Sequence, residues 1–315
     1  VLTTPLLRVL AQADEKHEIH YVTKKKYLQV IAHNPYISKI HTFEHGITEV
    51  EKNLQVEHFD FVLDLHHNLR SHRLIATLGR PSKSFNKLNY EKWIAVNFKW
   101  NILPAVHIVK RYFDPLSFLN LKYDGQGLDY FTGEIDSAKM QSFDINFEEN
   151  FIVFVVGGAH ATKQIPEDIL IKIAANCQNK IVLLGGKDDV TKANNLALQI
   201  GVGCHNLTAQ LSLNESAWVV SKSTKVLTSD TGLMHIAAAY KKEIISLWGN
   251  TIPEFGMYPL MPLGLEKQSH IFEVKGLKCR PCSKIGFKTC PKKHFHCMTL
   301  QDIDGIREAL HREKY

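Results

Sequence analysis

The chain has 315 residues, 44% of them hydrophobic and 22% charged, and a net charge of +6. That is enough for two domains of ordinary size and too apolar for a disordered chain. No apolar run approaches the roughly 20 residues of a transmembrane helix, no signal peptide is visible behind Val1, and six cysteines placed unevenly do not make a secreted disulfide scaffold; the expectation is a soluble cytoplasmic protein. The moderate positive charge suits an anionic ligand or membrane surface without requiring nucleic acid.

In chain order, Thr3-Thr4-Pro5 followed by Leu6-Leu7-Arg8-Val9-Leu10 reads as a helix start, with hydroxyl cap, proline in the first turn and an apolar face. Ile19–Val22 reads as a strand, Tyr27–Ile31 as a helix, Lys39–Phe43 as a strand, Phe59–Leu65 as the clearest strand, and Leu69–Leu78 as the helix after it. Alternation of this kind implies a parallel sheet with helices on both faces. Such a domain normally begins on its central strand, whereas this chain begins on a helix; a strand and its phosphate-facing loop are expected to be missing from it. His66-His67, at a strand end with no third ligand at metal spacing, reads as structural.

From Arg70 to Arg111 the chain carries nine basic residues against Glu91 alone, interleaved with Phe85, Tyr90, Trp93, Phe98 and Trp100. Two readings compete: a surface for an anionic acceptor or lipid headgroup layer, or a solvated helix face whose aromatics belong to the core. No recognised nucleic-acid module accompanies the run, and no nucleic-acid partner is expected. The polar stretch from Tyr123 to Asn150, with Asp124-Gly125-Gln126-Gly127, reads as a linker. The division is then 1–140, 150–300 and a C-terminal helix over 301–315.

Phe151–Val156 is a continuous apolar strand, followed by Gly157-Gly158-Ala159-His160-Ala161-Thr162-Lys163 and a helix opened by Pro166. A glycine-rich strand-to-helix turn with a lysine can hold phosphate through backbone N–H groups and a point charge, although neither the P-loop nor the G-x-G-x-x-G pattern is present. Ile181–Leu184 ends in Gly185-Gly186-Lys187-Asp188-Asp189, where Asp188 could accept ribose hydroxyls or cap the next helix. Lys225–Thr228 leads into Ser229-Asp230-Thr231-Gly232-Leu233-Met234-His235, and Glu243–Trp248 is the following strand. Asp230 could be merely the N-cap of its helix; otherwise it belongs to an anion site built on the helix N-terminus, with Thr231 as a donor and Gly232 allowing close approach. Three strand ends carrying Lys163, Asp188 and Asp230-Thr231-Gly232 on one sheet edge suggest a nucleotide diphosphate site. Near the end, Cys279-x2-Cys282-x7-Cys290-x6-Cys297 has the look of a structural zinc cluster, reduced packed thiols or an adventitious disulfide being the alternatives. Cys177 and Cys204 read as core residues.

The segments Ser229 to Ala239, Leu247-Trp248-Gly249-Asn250-Thr251, the Gly157-Gly158 to Pro166 stretch, Leu183 to Gly186, the cysteine-bearing tail and Thr3 to Arg8 together resemble the bacterial ADP-heptose:lipopolysaccharide heptosyltransferases, glycosyltransferase family 9. The resemblance implies an α/β protein of GT-B architecture, two Rossmann-like domains with parallel sheets facing across a cleft, located in the cytoplasm or peripheral to the inner membrane's cytoplasmic face. It implies inverting, metal-independent transfer of heptose from ADP-heptose to the lipopolysaccharide inner core, Kdo–lipid A or a heptose on it. Lys163 would hold the diphosphate, Asp188 would sit near the ribose, Leu211 would contact adenine, and Asp230, Thr231, Gly232 and His235 would line the phosphate and sugar. Lys163 and Asp230 are the catalytic candidates within the chain. The family's general base belongs to a loop expected upstream of Val1, so this chain is expected to bind donor but transfer poorly. The alternatives are a transferase using a different nucleotide sugar and a non-catalytic nucleotide-binding module.

Overall fold

The computed structural model describes residues 1–175 and 177–312. In the first half these form α1 (Thr4–Ala11), β1 (His20–Lys24), β2 (Lys39–Phe43), α2 (Thr48–Gln55), β3 (Val62–Asp64), α3 (Leu69–Leu78), β4 (Ser82–Ser84), α4 (Asn89–Phe98), α5 (Ile108–Arg111) and α6 (Ser137–Gln141). β1 pairs with β2 and β3 with β4, each pair parallel. Local chemistry sets these boundaries. The Asn68 side chain accepts from the backbone of Arg70 and Ser71 while Ser71 Oγ accepts from Asn68, a capping box that starts α3, and Gly79 at φ 61° stops it. The Tyr27–Ile31 helix is instead a 3₁₀ turn over Lys25–Val30, and the Phe59–Leu65 strand is regular only over Val62–Asp64.

The second half forms β5 (Phe151–Val155), α7 (Glu167–Ala174), β6 (Lys180–Leu184), α8 (Val190–Ile200), β7 (Cys204–Asn206), α9 (Leu213–Lys222), β8 (Lys225–Ser229), α10 (Gly232–Ala239), β9 (Glu243–Trp248), β10 (Ser269–Glu273), α11 (His296–Thr299) and α12 (Ile303–His311). Its six strands make one parallel sheet in the order β10-β9-β8-β5-β6-β7. Because strand side chains alternate, Phe151, Val153, Val155, Val182 and Val226 pack on one face with α9 and α10. Ile152, Phe154, Leu183, Leu227 and Ile245 pack on the other with α7, α8 and α12. Both faces are covered, which is why the strands read as unbroken apolar runs.

The stretch read as a linker is packed rather than free. Leu128, Tyr130, Met140 and Phe147 are buried in the α9–α10 core, and Tyr130 Oη donates to Asn214 Oδ1 at 2.7 Å. Buried Arg8 ties α1 to it, pairing with Asp124 at 2.8 Å and with Asp129 and donating to the Gly127 carbonyl at 2.9 Å. Residues 313–315, the end of the C-terminal helix expected over 301–315, lie outside the described residues. No described helix is long and apolar enough to cross a membrane. Cys177 and Cys204 are half-buried against the α7–α8 core rather than inside it.

Candidate active site

In the six-stranded sheet the strand order reverses between β5 and β8: β6 and β7 lie to one side of β5, β8 to β10 to the other. The loops leaving the carboxyl ends of β5 and β8 therefore part in opposite directions and open a crevice, where open α/β sheets bind ligands. The β5 exit runs through Gly157-Gly158 to a short 3₁₀ turn, Ala161–Lys163, and the β8 exit is Asp230-Thr231. Lys163 Nζ reaches Asp230 Oδ2 at 2.6 Å, and the Thr251 hydroxyl, from the loop after β9, donates to the same oxygen at 3.0 Å. Asp230 is thus not the helix cap. Thr231 takes that role, its Oγ1 accepting from Met234 N at 3.4 Å and bonding Thr228 Oγ1 at 3.0 Å. A Cβ on Gly232, the first residue of α10, would meet nothing within 4 Å, so the helix N-terminus is open to an approaching anion.

The β5 loop is braced from below. Buried Asp189 accepts from Gly186 N at 2.8 Å and from Gln164 Nε2 at 3.3 Å, and a Cβ on Gly157 would come within 2.0 Å of its Oδ2, so position 157 requires glycine. Lys192 Nζ donates to the carbonyls of Val156 at 3.0 Å and Ile165 at 2.6 Å, the two ends of the loop, and burial lowers this lysine to a pKa of about 8. From the cysteine tail, Arg280 donates to the carbonyls of Gly249 at 2.6 Å and Thr251 at 3.0 Å, while Phe287 exchanges backbone and side-chain bonds with Thr162. The tail therefore holds the outer loops of the crevice.

Of the residues expected to act together, Lys163, Asp230, Thr231 and Gly232 converge. His235 follows on the first turn of α10 and is buried, its Nδ1 without a hydrogen-bond partner among the described residues. Asp188 is exposed at the β6 exit, and it is the next residue, Asp189, whose carboxylate bonds the loop. Leu211 is partly buried beyond β7, in a loop fastened to the β6 exit by Ala209 N donating to the Gly185 carbonyl at 3.1 Å. Asp189, Gln164, Lys192, Thr251, Arg280 and His107 escaped the sequence reading. Thr251 and Gln164 lie inside the Leu247–Thr251 and Gly157–Pro166 segments, Arg280 lies inside the cysteine tail and Asp189 follows Asp188; Lys192 and His107 carry no local signal and depend on contacts between residues distant in the chain. Ser229 Oγ and both polar atoms of the Asn250 side chain are buried without partners among the described residues. Orphaned groups of this kind are costly and collect where a ligand completes them.

All six cysteines are free. Burial, and then Cys282, pushes the Cys297 thiol up to about 12; burial and then Cys279 push up Cys282. The tail thiols thus act on one another electrostatically, yet among the described residues no three of them bring their sulfurs within 4.8 Å of each other, the spacing that a three-ligand site would show. The aromatics of the basic run divide. Phe85 is in the core, whereas Tyr90, Trp93, Phe98 and Trp100 are exposed on and just beyond α4.

The sheet order and the crevice at its reversal make the second half a doubly wound α/β unit, and a chain-long likeness to a solved heptosyltransferase structure makes the architecture GT-B. Residues 47–295 match the profile of Glycosyltransferase family 9 (heptosyltransferase), and the chain belongs to that family. Lipopolysaccharide heptosyltransferase 1 of Pseudomonas aeruginosa is 24% identical over 91% of this chain and 83% of its own length. Lipopolysaccharide heptosyltransferase 2 of Salmonella typhimurium is 25% identical over 38% of this chain, and Lipooligosaccharide heptosyltransferase 2 of Haemophilus influenzae is 44% identical over 16%. The chain spans only 36% and 15% of the length of these last two relatives. Among solved structures, E. coli ADP-heptose lps heptosyltransferase II superposes with a TM-score of 0.66 at 16% identity, over 95% of this chain and 93% of that one.

Two histidines give the site region a defined pH response. Burial, then the neighbouring His107, lowers His235 to about 3; burial likewise lowers His107 to about 4, although its Nε2 donates to the Tyr258 carbonyl at 2.9 Å. Both are neutral in the folded chain, while in the unfolded chain they take up protons below about pH 6.5. The unfolded state then binds more protons, so stability falls as the pH drops from about 6.5 toward 4 and is level above that window. Urea denaturation at pH 7 and pH 5 should show this loss, and His107→Gln should reduce it; an unchanged loss in that variant contradicts the assignment of His107.

Proposed function

We propose that the chain is a glycosyltransferase that moves a heptose from ADP-heptose to the inner core of lipopolysaccharide. The observation that carries this reading is the Lys163–Asp230 pair at 2.6 Å, beside the open N-terminus of α10 at the sheet's switch point. At the switch point of a doubly wound sheet, before a helix N-terminus, this is where a sugar diphosphate would lie. The α- and β-phosphates would draw Lys163 from Asp230 and take the N–H groups of α10, which together stabilise the charge left on the departing ADP. Asp230, kept in place by Thr251, would turn to the sugar. Asp188 on the rim would accept the ribose hydroxyls, and Leu211 would lie against the adenine. His235, neutral and buried, would offer Nδ1 to the donor.

The division at 1–140 and 150–300 assigns acceptor binding to the first half. There Tyr90, Trp93, Phe98 and Trp100 are exposed, as are Arg80, Lys83 and Lys110 of the same basic run. Amphipathic rings with cations around them favour the headgroup level of an anionic membrane, where a lipid-linked acceptor would be met. The cysteine tail is proposed as a brace for the donor loops through Arg280 and Phe287; a structural zinc on Cys279, Cys282, Cys290 and Cys297 would need the sulfurs to close toward one another, and zinc content of protein purified without chelator decides between a metal-held and a thiol-packed brace.

A thermal-shift series with ADP, UDP, GDP and CMP tests the donor. ADP at about a hundred times its dissociation constant should add roughly 2.7 kcal/mol of stability, and Lys163→Ala should remove most of that gain. A preference for UDP or GDP would replace the donor with another nucleotide sugar. No shift with any nucleotide, from a chain that unfolds cooperatively, would favour a non-catalytic module. For the membrane surface, the protein should cosediment with vesicles containing anionic phospholipid, and less so after Trp93→Ala with Trp100→Ala; equal sedimentation of both proteins contradicts that part.

A further inference from the structure

At the edge of the first half, three metal-capable side chains meet that the donor site does not use. β1 and β2 are in register with Val22 opposite His41, so His20 and His41 project from the same face, their rings 5.2 Å apart. His20 Nδ1 and His41 Nε2 are 3.2 Å apart. The segment after α2 adds Glu57, whose Oε2 lies 4.0 Å from His20 Nδ1. All three ligand atoms fall within 4.8 Å of one another. His41 is buried, and the His20 side chain is only 6% exposed.

The surroundings prepare these atoms as ligands. Glu18 Oε1 sits 3.0 Å from His20 Nε2. A carboxylate there holds the proton on Nε2 and leaves Nδ1 bare, the outer-shell arrangement that orients metal-bound histidines. Lys39 occupies Glu57 Oε1 and leaves Oε2 turned toward the imidazoles. Tetrahedral bonds of about 2.0–2.1 Å put neighbouring ligand atoms about 3.3 Å apart, close to the spacing of the two histidines. On that geometry Glu57 Oε2 would close on His20 Nδ1 by about 0.7 Å, and its side chain is partly exposed.

We propose that His20 Nδ1, His41 Nε2 and Glu57 Oε2 form a three-ligand site for a zinc-class divalent cation. Two imidazoles and a carboxylate suit zinc and leave its fourth position to water. Without metal, the His41 Nε2 proton is shared with His20 Nδ1; on binding, that proton passes to His41 Nδ1, and both nitrogens turn their lone pairs to the cation. The metal would pin β1, β2 and the end of α2 to one another.

Cobalt(II) and zinc(II) added separately to the full chain test this, because the cysteine tail is a competing site with a different spectrum. Cobalt should give visible d–d bands of nitrogen and oxygen ligation, and zinc should raise the melting temperature. Both effects should be lost in Glu57→Gln and His20→Gln and kept in Cys279→Ser. Should His20→Gln fail to fold by circular dichroism, Glu57→Gln decides, since it alters a partly exposed side chain. A cobalt spectrum with only thiolate charge-transfer bands, or metal uptake unchanged in Glu57→Gln, overturns the proposal.

Discussion

The pairing of β5 with β8 is the constraint on which the site depends. Had β5 been followed across the sheet by strands on one side only, the loops carrying Lys163 and Asp230 would leave the sheet without opening between them. Because β8 joins the other flank of β5, with Ile152 opposite Lys225 and Phe154 opposite Leu227, the two loops meet over a crevice. A lysine 67 positions before Asp230 then reaches it at 2.6 Å. Strand burial on both faces makes that pairing stable, and the pairing places the charges.

Around this pair the chain uses buried polar contacts rather than apolar packing to fix loop shape. Asp189 and Lys192 hold the β5 loop from beneath, Thr231 caps α10, and Arg280 holds the β9 loop from outside. Such contacts define a geometry more sharply than packing does, since each removed partner leaves a buried group unsatisfied. The loops are therefore preset around a site whose own groups, Asn250 and Ser229 among them, are incompletely paired.

Much of this was legible in the sequence, for definite reasons. Strands buried on both faces announce themselves as apolar runs, so Glu243–Trp248 is read to the residue; the half-exposed strand Lys39–Phe43 and the helix α3 are read to the residue as well. Lys163 and Asp230 were found because strand ends in a parallel sheet share an edge. What the sequence left open turned on local ambiguity and long-range contact. Two adjacent acids, Asp188 and Asp189, look alike in sequence, and only the fold decides which one turns inward. Asp230 followed by a helix looks like a cap, yet Thr231 one position later performs that task. The stretch from Tyr123 to Asn150 lacks periodicity because its buried residues answer to a surface built by α9 and α10, not to a helix or strand of its own.

The Lys163–Asp230 pair is proposed to be the resting state of a diphosphate site. A crystal structure of the chain with ADP tests it most directly. ADP should lie in the crevice between the β5 and β8 loops, with Lys163 Nζ moved from Asp230 to a phosphate oxygen and the first N–H groups of α10 directed at the phosphates. ADP bound elsewhere, or bound with Lys163 still held only by Asp230, would contradict it.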